Sequence, residues 1–452
     1  MIKNKKIITV KKLLTNDKLT IPYYQRPYKW TLNNVNQLID DILFFNDKNA
    51  YRIGSIIIHE DNGVENIVDG QQRMITFLLI AKAIIKNRKK ELVEIYKGTN
   101  DYYPKVNWKF SNQISQENIK NNYIEIERRI KEFDSKTIKF FFEKCELVKI
   151  TLSDLSEAFQ FFDSQNARGK DLDPHDLLKA FHLREMVEIS DDKKKEIVRI
   201  WETMVTDELS GLFEKHLFRI RNWSKGFSAR FFTKKDIYVF KGISPDKHII
   251  VPFAEPFRIT HHFIDHFNEN YERKIDLQYK HFPFQLDTVI LNGKRFFEMI
   301  SFYKSKIQNI ISDDFERTSE YLKLNQNSIA YKILKIINTY PARFRKGDKY
   351  IRNLFDNALI FYIDKFGFRD AEKAIEKFFI WAYKLRLEHH AVQLATIDNY
   401  ALDTFMFKLI RETVNHKNII NYNIDNIKKD DIRSTKNEDI IELFKELKYY
   451  DE

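Results

Sequence analysis

The first hundred residues alternate between the two periodicities of regular secondary structure. Short β-branched runs predict strands at residues 7–10, 54–60 and 65–70. Apolar residues recur at helical spacing after Thr31, the expected N-cap of one helix, and again from residue 71, where a second helix begins. The pattern predicts a small mixed α/β domain.

Beyond residue 100 the pattern is mostly helical. A further β-branched run predicts a strand at residues 147–152, and three prolines mark an irregular boundary at residues 243–257. Helical stretches such as residues 371–387 follow. We therefore predict an α+β fold, with a mixed-sheet N-terminal domain followed by a mainly α-helical C-terminal region. The expected domains are residues 1–100, a helical extension at 101–242 and an α-helical bundle at 243–452.

Composition narrows the kinds of site and location. The single cysteine, Cys145, excludes an intrachain disulfide and any site built from several thiolates. The same scarcity of cysteines favours a reducing cytoplasm as the location of the protein. No run of about 18 uncharged apolar residues occurs, so we expect no membrane span. The net charge of +11 suggests a polyanionic partner, although a lysine-rich composition gives the same charge without one.

The stretch IVDGQQR (67–73) places polar chemistry where a strand turns into a helix. The strand ends at Asp69, and the unpaired N–H groups of the helix start favour a phosphate, to which Arg73 adds a forked contact. Asp69 has three open roles, as helix cap, ribose ligand or ligand of a divalent ion, and Gln71 or Gln72 could orient an attacking water. The structural alternative is an Asp cap followed by a polar first turn.

A second polar pair lies in IPYYQRPYKW (21–30). Its two prolines fix a loop, its aromatic rings offer a rigid wall for a base, and Gln25 and Arg26 supply polar contacts. The alternative is an aromatic-anchored loop whose arginine only donates to carbonyls. Two Gln-Arg pairs beside predicted turns make a shared site more credible than either pair does alone.

A third stretch, FFDSQNARGKDLDPHDLLKAFHLR, follows at residues 161–184. Together and in this order, the three stretches resemble the N-terminal family of GmrSD-type restriction endonucleases, within the ParB/sulfiredoxin superfamily. The resemblance covers roughly residues 5–185. It implies a small ParB-like mixed-sheet domain that binds and often hydrolyses nucleotides in bacterial defence against modified or foreign DNA.

The resemblance also implies a set of site residues and cofactors. We expect an NTP of unknown base, with Mg²⁺, at a site that combines the motif with its neighbours. The expected catalytic residues are Asp69, Gln71, Gln72 and Arg73, and the expected nucleotide-binding residues are Tyr24, Gln25, Arg26, Gly70, Arg73, Thr76, Asn166 and Arg168.

The segment KHLFRIRNWSKGFSARFFTKK (215–235) combines seven cations and five aromatic rings with no acidic residue. Cations neutralise phosphates and rings stack on exposed bases, so the segment is a candidate DNA contact. The alternative is a solvated basic face over a hydrophobic stripe. The candidate DNA-binding residues are Arg219, Arg221, Lys225, Arg230, Lys234 and Lys235.

Other catalytic centres are poorly supported. LEHHAVQ (387–393) faintly resembles the start of an HNH nuclease site, but the later elements of such a site do not follow. His262 and His266 have a helical metal-pair spacing without a third ligand, so metal ligands stay unassigned. No P-loop motif occurs, so an NTPase here is of another kind.

The sequence therefore predicts an NTP-hydrolysing component of a restriction or anti-phage system that senses DNA. Its nuclease is expected in a separate protein or subunit, and homo-oligomer formation is a further expectation. One alternative is a non-hydrolysing, nucleotide-switched DNA-binding or adaptor module. Another is a DNA nuclease with an unrecognised site.

Overall fold

The computed structural model describes residues 2–22, 25, 27–97, 99, 102–106, 108–110, 113–153, 173–186, 189, 191–204, 206–245, 251–312 and 314–452. The chain forms two compact units, one of residues 1–172 and 190–202 and the other of residues 173–189 and 203–452. The domain boundaries expected at residues 100 and 242 stay predictions.

A mixed five-stranded sheet is the centre of the first unit. Its strands are β1 (Ile2–Thr9), β2 (Leu19–Thr20), β3 (Tyr51–Asp61), β4 (Val64–Asp69) and β5 (Cys145–Leu152), in the spatial order β1-β5-β3-β4-β2. β5 pairs antiparallel with β1 and parallel with β3, while β4 pairs antiparallel with β3 and parallel with β2. Asn62 and Gly63, both at positive φ, make the tight turn between β3 and β4.

Helices cover this sheet and enclose its core. They are α1 (Val10–Leu14), α2 (Leu32–Phe44), α3 (Gln71–Asn87), α4 (Lys89–Tyr96), α5 (Gln113–Arg129), α6 (Ser135–Glu143) and, after the third motif, α8 (Asp191–Glu202). Ile56, Ile58 and Ile67 from the sheet are buried in one cluster with Phe77 of α3 and Phe141 of α6. α3 is apolar around most of its circumference, which suits a helix buried in the core.

The second unit is almost wholly helical. Its helices are α7 (Pro174–Arg184), α9 (Thr206–Gly211), α10 (Phe218–Trp223), α11 (Glu255–Glu269), α12 (Arg273–Asp276), α13 (Lys294–Ile310), α14 (Phe315–Tyr321), α15 (Ile329–Thr339), α16 (Lys346–Phe366), α17 (Ala371–Glu388), α18 (Leu394–Asp403), α19 (Met406–Glu412), α20 (Lys417–Ile420) and α21 (Glu438–Glu446). A π-helical segment, Leu212–Leu217, joins α9 to α10. The buried helices α16 and α17 pack on each other, with α15 against α17. Two short parallel strands, β6 (Ile427–Lys428) and β7 (Tyr450–Asp451), pair near the end of the chain.

The predicted fold class is confirmed: a mixed-sheet region comes first and a mainly helical region follows. Thr31 is the N-cap residue of α2, and Pro174 is the first residue of α7, after Asp173. One strand boundary was wrong, because β1 ends at Thr9 and Val10 begins α1, whose Lys12 N–H donates to Thr9 Oγ1. Within the described residues, no helix combines the length and apolar character needed to cross a bilayer.

Candidate functional site

The turn between β4 and α3, residues 69–73, depends on a glycine. Gly70 is the N-cap of α3 and lies in the left-handed region, with φ 95°. An added Cβ would meet the carbonyl oxygen of Ser55 at 3.2 Å and Ile56 Cγ1 at 3.3 Å. Gly70 therefore serves both the backbone conformation and the close packing of this 69–73 turn on β3.

The 69–73 turn leaves the helix start without a side-chain cap. The N-cap residue is Gly70, which has no side chain to cap the helix, so the interpretation of Asp69 as the capping residue was wrong. Met74 N–H makes the first helical bond, to Gly70 O at 3.0 Å. The earlier N–H groups of the turn have no intrahelical acceptor, which is the arrangement that attracts an anion.

Two opposite charges flank this helix start. Asp69 ends β4 and Arg73 lies in the first turn of α3, and both side chains are half-buried. Among the described residues neither forms an ion pair, and the Asp69 carboxylate has no hydrogen bond. The guanidinium of Arg73 makes one long contact, from Nη1 to Ile53 O at 3.5 Å. Both groups are thus suited to meet a charged ligand.

Gly54 of β3 makes the space that the Arg73 guanidinium occupies. A Cβ on Gly54 would lie 1.9 Å from Arg73 Nη1 and 3.1 Å from its Cζ. Gly54 also has φ 145° and lies at a register shift between β3 and β5. A glycine in a strand often marks such a close approach, but nothing in the local sequence shows which side chain approaches.

Gln72 holds a neighbouring loop rather than pointing to solvent. Its Oε1 accepts from the N–H groups of Lys29, at 2.7 Å, and Trp30, at 3.2 Å, while its Nε2 donates to Pro27 O at 3.0 Å. The side chain is 7% exposed. Gln72 therefore fixes residues 27–30, the 27–30 loop, onto the start of α3.

The buried Tyr28 fastens the same loop from its centre. Its hydroxyl lies 2.8 Å from Thr76 Oγ1 and accepts from Asn122 Nδ2 at 3.0 Å. Its backbone N–H donates to Ser115 Oγ, and its carbonyl accepts from Asn118 Nδ2, both at 2.9 Å. Burial raises the pKa of the Tyr28 hydroxyl, so it stays a neutral hydrogen-bonding group. The 27–30 loop is thus held between α3 and α5.

Gln25 connects the predicted aromatic stretch to the strand that ends in the 69–73 turn. Its Nε2 donates to the carbonyls of Ile67, at 2.9 Å, and Val68, at 2.8 Å. The pairing of β3 with β4 shifts register between Ile57 and Ile58 and leaves Val68 as the extra residue of a bulge. Gln25 satisfies the carbonyls at this irregularity.

The structure brings together part of the predicted site. Gln25, Gly70, Gln72, Arg73 and Thr76 lie on the connected surfaces of β4, α3 and the 27–30 loop. Gln71, in the same turn, is 6% exposed. Tyr24, Arg26, Asn166 and Arg168 lie outside the described residues.

Sequence reasoning missed four residues of this network. They are Gly54, Ser115, Asn118 and Asn122. Ser115, Asn118 and Asn122 are spaced so that they share one face of α5. A polar helix face usually indicates exposure to solvent, so this pattern did not predict contacts with the 27–30 loop.

Two of the predicted DNA contacts lie inside the second unit. Arg219 donates to Asn353 Oδ1, and Arg221 donates to the carbonyls of Leu286, at 2.6 Å, and Thr288, at 3.0 Å. Each is 4% exposed, and burial lowers the pKa of Arg221 to about 10. These guanidiniums hold α10 to its neighbours, so their assignment as surface DNA contacts was wrong. They are buried because all six residues of α10 are buried, so the helix has no face open to solvent.

The rest of the basic segment lies at the surface. Lys225, Arg230 and Lys235 are exposed, as are the rings of Phe227 and Phe231. Lys234 is half-buried. Partial desolvation, followed by the positive charges of Arg221 and Arg411, lowers the pKa of Lys225. This concentration of positive charge suits an anion.

A buried carboxylate fixes this surface segment in place. Asp398 of α18 accepts from Trp223 Nε1, Ser228 Oγ, the Ala229 N–H and Arg230 Nε at 2.6–3.0 Å. Arg230 is therefore already paired, although its side chain remains 42% exposed. Residues 225–235, the basic loop, project from this anchor.

The structure shows no catalytic arrangement among the described residues at the histidines considered as weaker candidates. His389 Nδ1 lies 3.0 Å from the carbonyl of Leu385, at the end of α17, which is a helix-terminal contact. His262 and His266 are exposed on α11. In the described part of the chain, the one close group of metal-type ligands is Asp173, His175 and Asp176, at the start of α7. The positive end of a helix disfavours a cation there.

Two family models match the chain. Residues 10–183 match the N-terminal domain of the GmrSD restriction endonucleases, and residues 193–439 match a family of unknown function, DUF7834. Comparison with curated proteins gives no match. The first match confirms the resemblance carried by the three motifs, and neither family is described as an HNH nuclease.

Proposed function

The chain belongs to the DUF7834 family through residues 193–439 and begins with a GmrSD-type domain, and from this we propose that it is a component of a restriction or anti-phage system. The 69–73 turn binds the phosphates of a nucleoside triphosphate and hydrolyses it with Mg²⁺. The basic loop of the second unit contacts DNA. A separate protein supplies the nuclease.

The observation that carries the proposal is the open helix start between Asp69 and Arg73. The N-cap Gly70 provides no side-chain cap, and the two flanking charges have no ion-pair partner among the described residues. Such N–H groups and a guanidinium fit the phosphates of a nucleotide. A carboxylate is the ligand type that Mg²⁺ uses beside phosphates, so the residues present fit both cofactors.

Each residue has a role that follows from its contacts. Arg73 binds phosphate, and Asp69 holds either the metal ion or a ribose hydroxyl. Mg²⁺ supplies charge neutralisation at the transferring phosphoryl group. Gln72 is committed to the 27–30 loop and acts as a positioning residue. Gln25 positions the β4 end in the same way.

The first experiment measures phosphate release from each of the four NTPs with Mg²⁺, with and without DNA. Wild type is compared with Arg73→Ala, which we expect to bind nucleotide roughly 10- to 100-fold more weakly because charged hydrogen bonds are lost. Arg128→Ala is the matched control, since Arg128 is 65% exposed in the same unit and pairs only with its helix neighbour Glu125 among the described residues. A folded Arg73→Ala protein with wild-type nucleotide affinity would overturn the assignment.

The commitment of Gln72 to the 27–30 loop favours a second candidate, a nucleotide switch without turnover. In that case the site transmits occupancy to the loop and the protein recruits a partner or binds DNA. Recovery of intact NTP from the protein after long incubation with Mg²⁺ and DNA would support the switch. Recovery of diphosphate would support the hydrolase.

DNA binding is tested on the second unit separately. Lys225→Glu combined with Lys235→Glu should weaken binding of a short DNA duplex and flatten its salt dependence, because each lost phosphate contact reduces the slope. Lys323→Glu and Lys448→Glu together, at exposed positions that follow α14 and α21 in the same unit, give a variant of equal charge. Equal losses in the two variants would show a non-specific charge effect and refute the basic loop as the contact.

A further inference from the structure

Exposed apolar side chains are concentrated in one segment of the second unit. Six large side chains between residues 253 and 277 are each 56–73% exposed. They form the 253–277 surface, which consists of Phe253, Ile259, Phe263, Tyr271, Ile275 and Leu277. The elements that carry them contact one another, since the rings of Phe263 and Phe267 lie 6.3 Å apart and Arg273 of α12 lies 4.7 Å over the Phe267 ring. Single exposed apolar residues are ordinary, but a group of this size on adjoining elements marks an interaction site.

Hydrogen bonds fix this segment to the rest of the second unit. Arg295 of α13 donates to the carbonyl and Nδ1 of His261 and to Asp265, at 2.8–3.1 Å, which fastens α11 from its buried face. Asn268 and Lys280 exchange two hydrogen bonds of 2.8 Å, which bring the following chain back onto α11. A pre-organised surface loses little entropy when a partner binds.

Leu277 ends α12 with its side chain turned to solvent. It is the C-cap residue of that helix, in the left-handed conformation with φ 56°, its N–H donates to Arg273 O, and its side chain is 69% exposed. The neighbouring Tyr271 and Ile275, four residues apart, are each 73% exposed.

The area and the charge of the 253–277 surface indicate which kind of partner binds there. Roughly 100 Å² exposed on each of six side chains gives about 600 Å² of apolar surface. That is more than the apolar part of one side of a standard interface, where each partner buries about 800 Å². Residues 251–280 contain four Lys or Arg and five Asp or Glu, although the whole chain carries +11. The surface is therefore unsuited to a polyanion and does not repel a copy of itself.

We propose that the 253–277 surface is the two-fold interface of a homodimer. The same patch on each copy meets the other, as in an isologous dimer, and buries the aromatic and aliphatic side chains of α11 and α12. This inference is independent of the nucleotide site.

The test is the mass of the full-length protein in solution, by sedimentation equilibrium across a range of concentrations. Wild type should be a dimer, and Ile259→Glu with Phe263→Glu should raise the dimer dissociation constant by at least roughly 100-fold, because two unpaired carboxylates enter the interface. The matched control is Phe44→Glu, which changes a phenylalanine that is 79% exposed in the first unit. Ile259→Ser with Phe263→Ser serves if the charged variant does not fold.

A second readout locates the interface. Cys145 is buried, so an Ile259→Cys variant carries one accessible thiol among the described residues. Its reaction with a maleimide should slow as dimer forms, while a Phe44→Cys thiol keeps its rate. A monomeric wild type at about 100 μM, a dimer insensitive to the charged variant, or an Ile259→Cys thiol that reacts equally in monomer and dimer would each overturn the proposal.

Discussion

Gly54→Ala is the sharpest perturbation of the candidate site, because it separates the placement of Arg73 from the presence of its charge. A Cβ at this position would lie 1.9 Å from Arg73 Nη1, whereas ordinary contact begins at 3.4 Å. The guanidinium must therefore move by about 1.5 Å. We expect nucleotide binding to weaken nearly as much as in Arg73→Ala, although the arginine is still present.

The cost in stability has a different source. Arg73 Nη1 is the far end of a flexible side chain, so the clash is relieved by movement of that side chain. The φ of 145° is what an alanine tolerates poorly, at a cost of about 1–3 kcal/mol. For a unit of this size, that corresponds to a decrease of roughly 3–9 °C in melting temperature.

A matched glycine separates the two effects. Gly63 also has a positive φ, 81°, but a Cβ added there would have no atom within 4 Å, so Gly63→Ala strains the backbone without touching Arg73. We expect Gly63→Ala to lose stability and to keep nucleotide affinity. Thermal unfolding and equilibrium binding of a fluorescent NTP analogue measure the two quantities.

Gly54→Ala combined with Arg73→Ala completes a double-mutant cycle. Once Arg73 is alanine, Gly54→Ala should weaken binding no further, because the group it displaces is gone. A Gly54→Ala protein that binds nucleotide like wild type would refute the claim that Arg73 acts from its position over Gly54. Additive losses in the double variant would show that Gly54 affects binding by some other path.

Three further changes test the loop network and the helical unit. Tyr28→Phe should lower the free energy of unfolding by about 1–2 kcal/mol, measured in urea, because Thr76 and Asn122 lose a buried partner; equal stability would contradict this. Gln72→Leu should speed hydrogen exchange at the Lys29 amide, and an unchanged rate would show that the loop holds itself. Burial lowers the pKa of His216 to about 4, below the ordinary value of 6.5, so the unfolded chain takes up the proton first. Stability is therefore present above about pH 6.5 and is lost as the pH falls toward 4, and His216→Gln should flatten that decline in melting temperature; an unchanged slope would refute it.

Local patterns were enough to predict the frame of the candidate site. The strand that ends at Asp69, the turn at Gly70 and the helix that follows depend on β-branched runs, glycine and apolar spacing, all of which act over a few residues. The roles of Gln25 and Gln72 could not be predicted in this way. Their hydrogen-bond partners lie more than 40 residues away, so their roles depend on the completed fold.

For the basic segment, residues 215–235, the local pattern predicted the exposed part but not the buried part. A run of cations with no acidic residue predicts a solvated face, and the exposed part of the basic loop has that character. Arg219 and Arg221 differ because each lies beside apolar residues on a helix that is buried on nearly all sides. Carbonyl and amide acceptors from distant segments make this burial tolerable, and no pattern within residues 215–235 specifies them.

The position of Gln72 gives the proposed site a physical route to the rest of its unit. Its backbone belongs to the helix start where the phosphates are proposed to bind, and its side chain holds three backbone groups of the 27–30 loop. Thr76, one turn later, reaches the same loop through Tyr28, which in turn bonds to Asn122 of α5. Three of these bonds are buried, so leaving one of them unpaired is costly, and we expect the first turn of α3 and the loop to move together. A nucleotide that favours one position of that turn will therefore favour one position of the loop and of α5 by the same free energy.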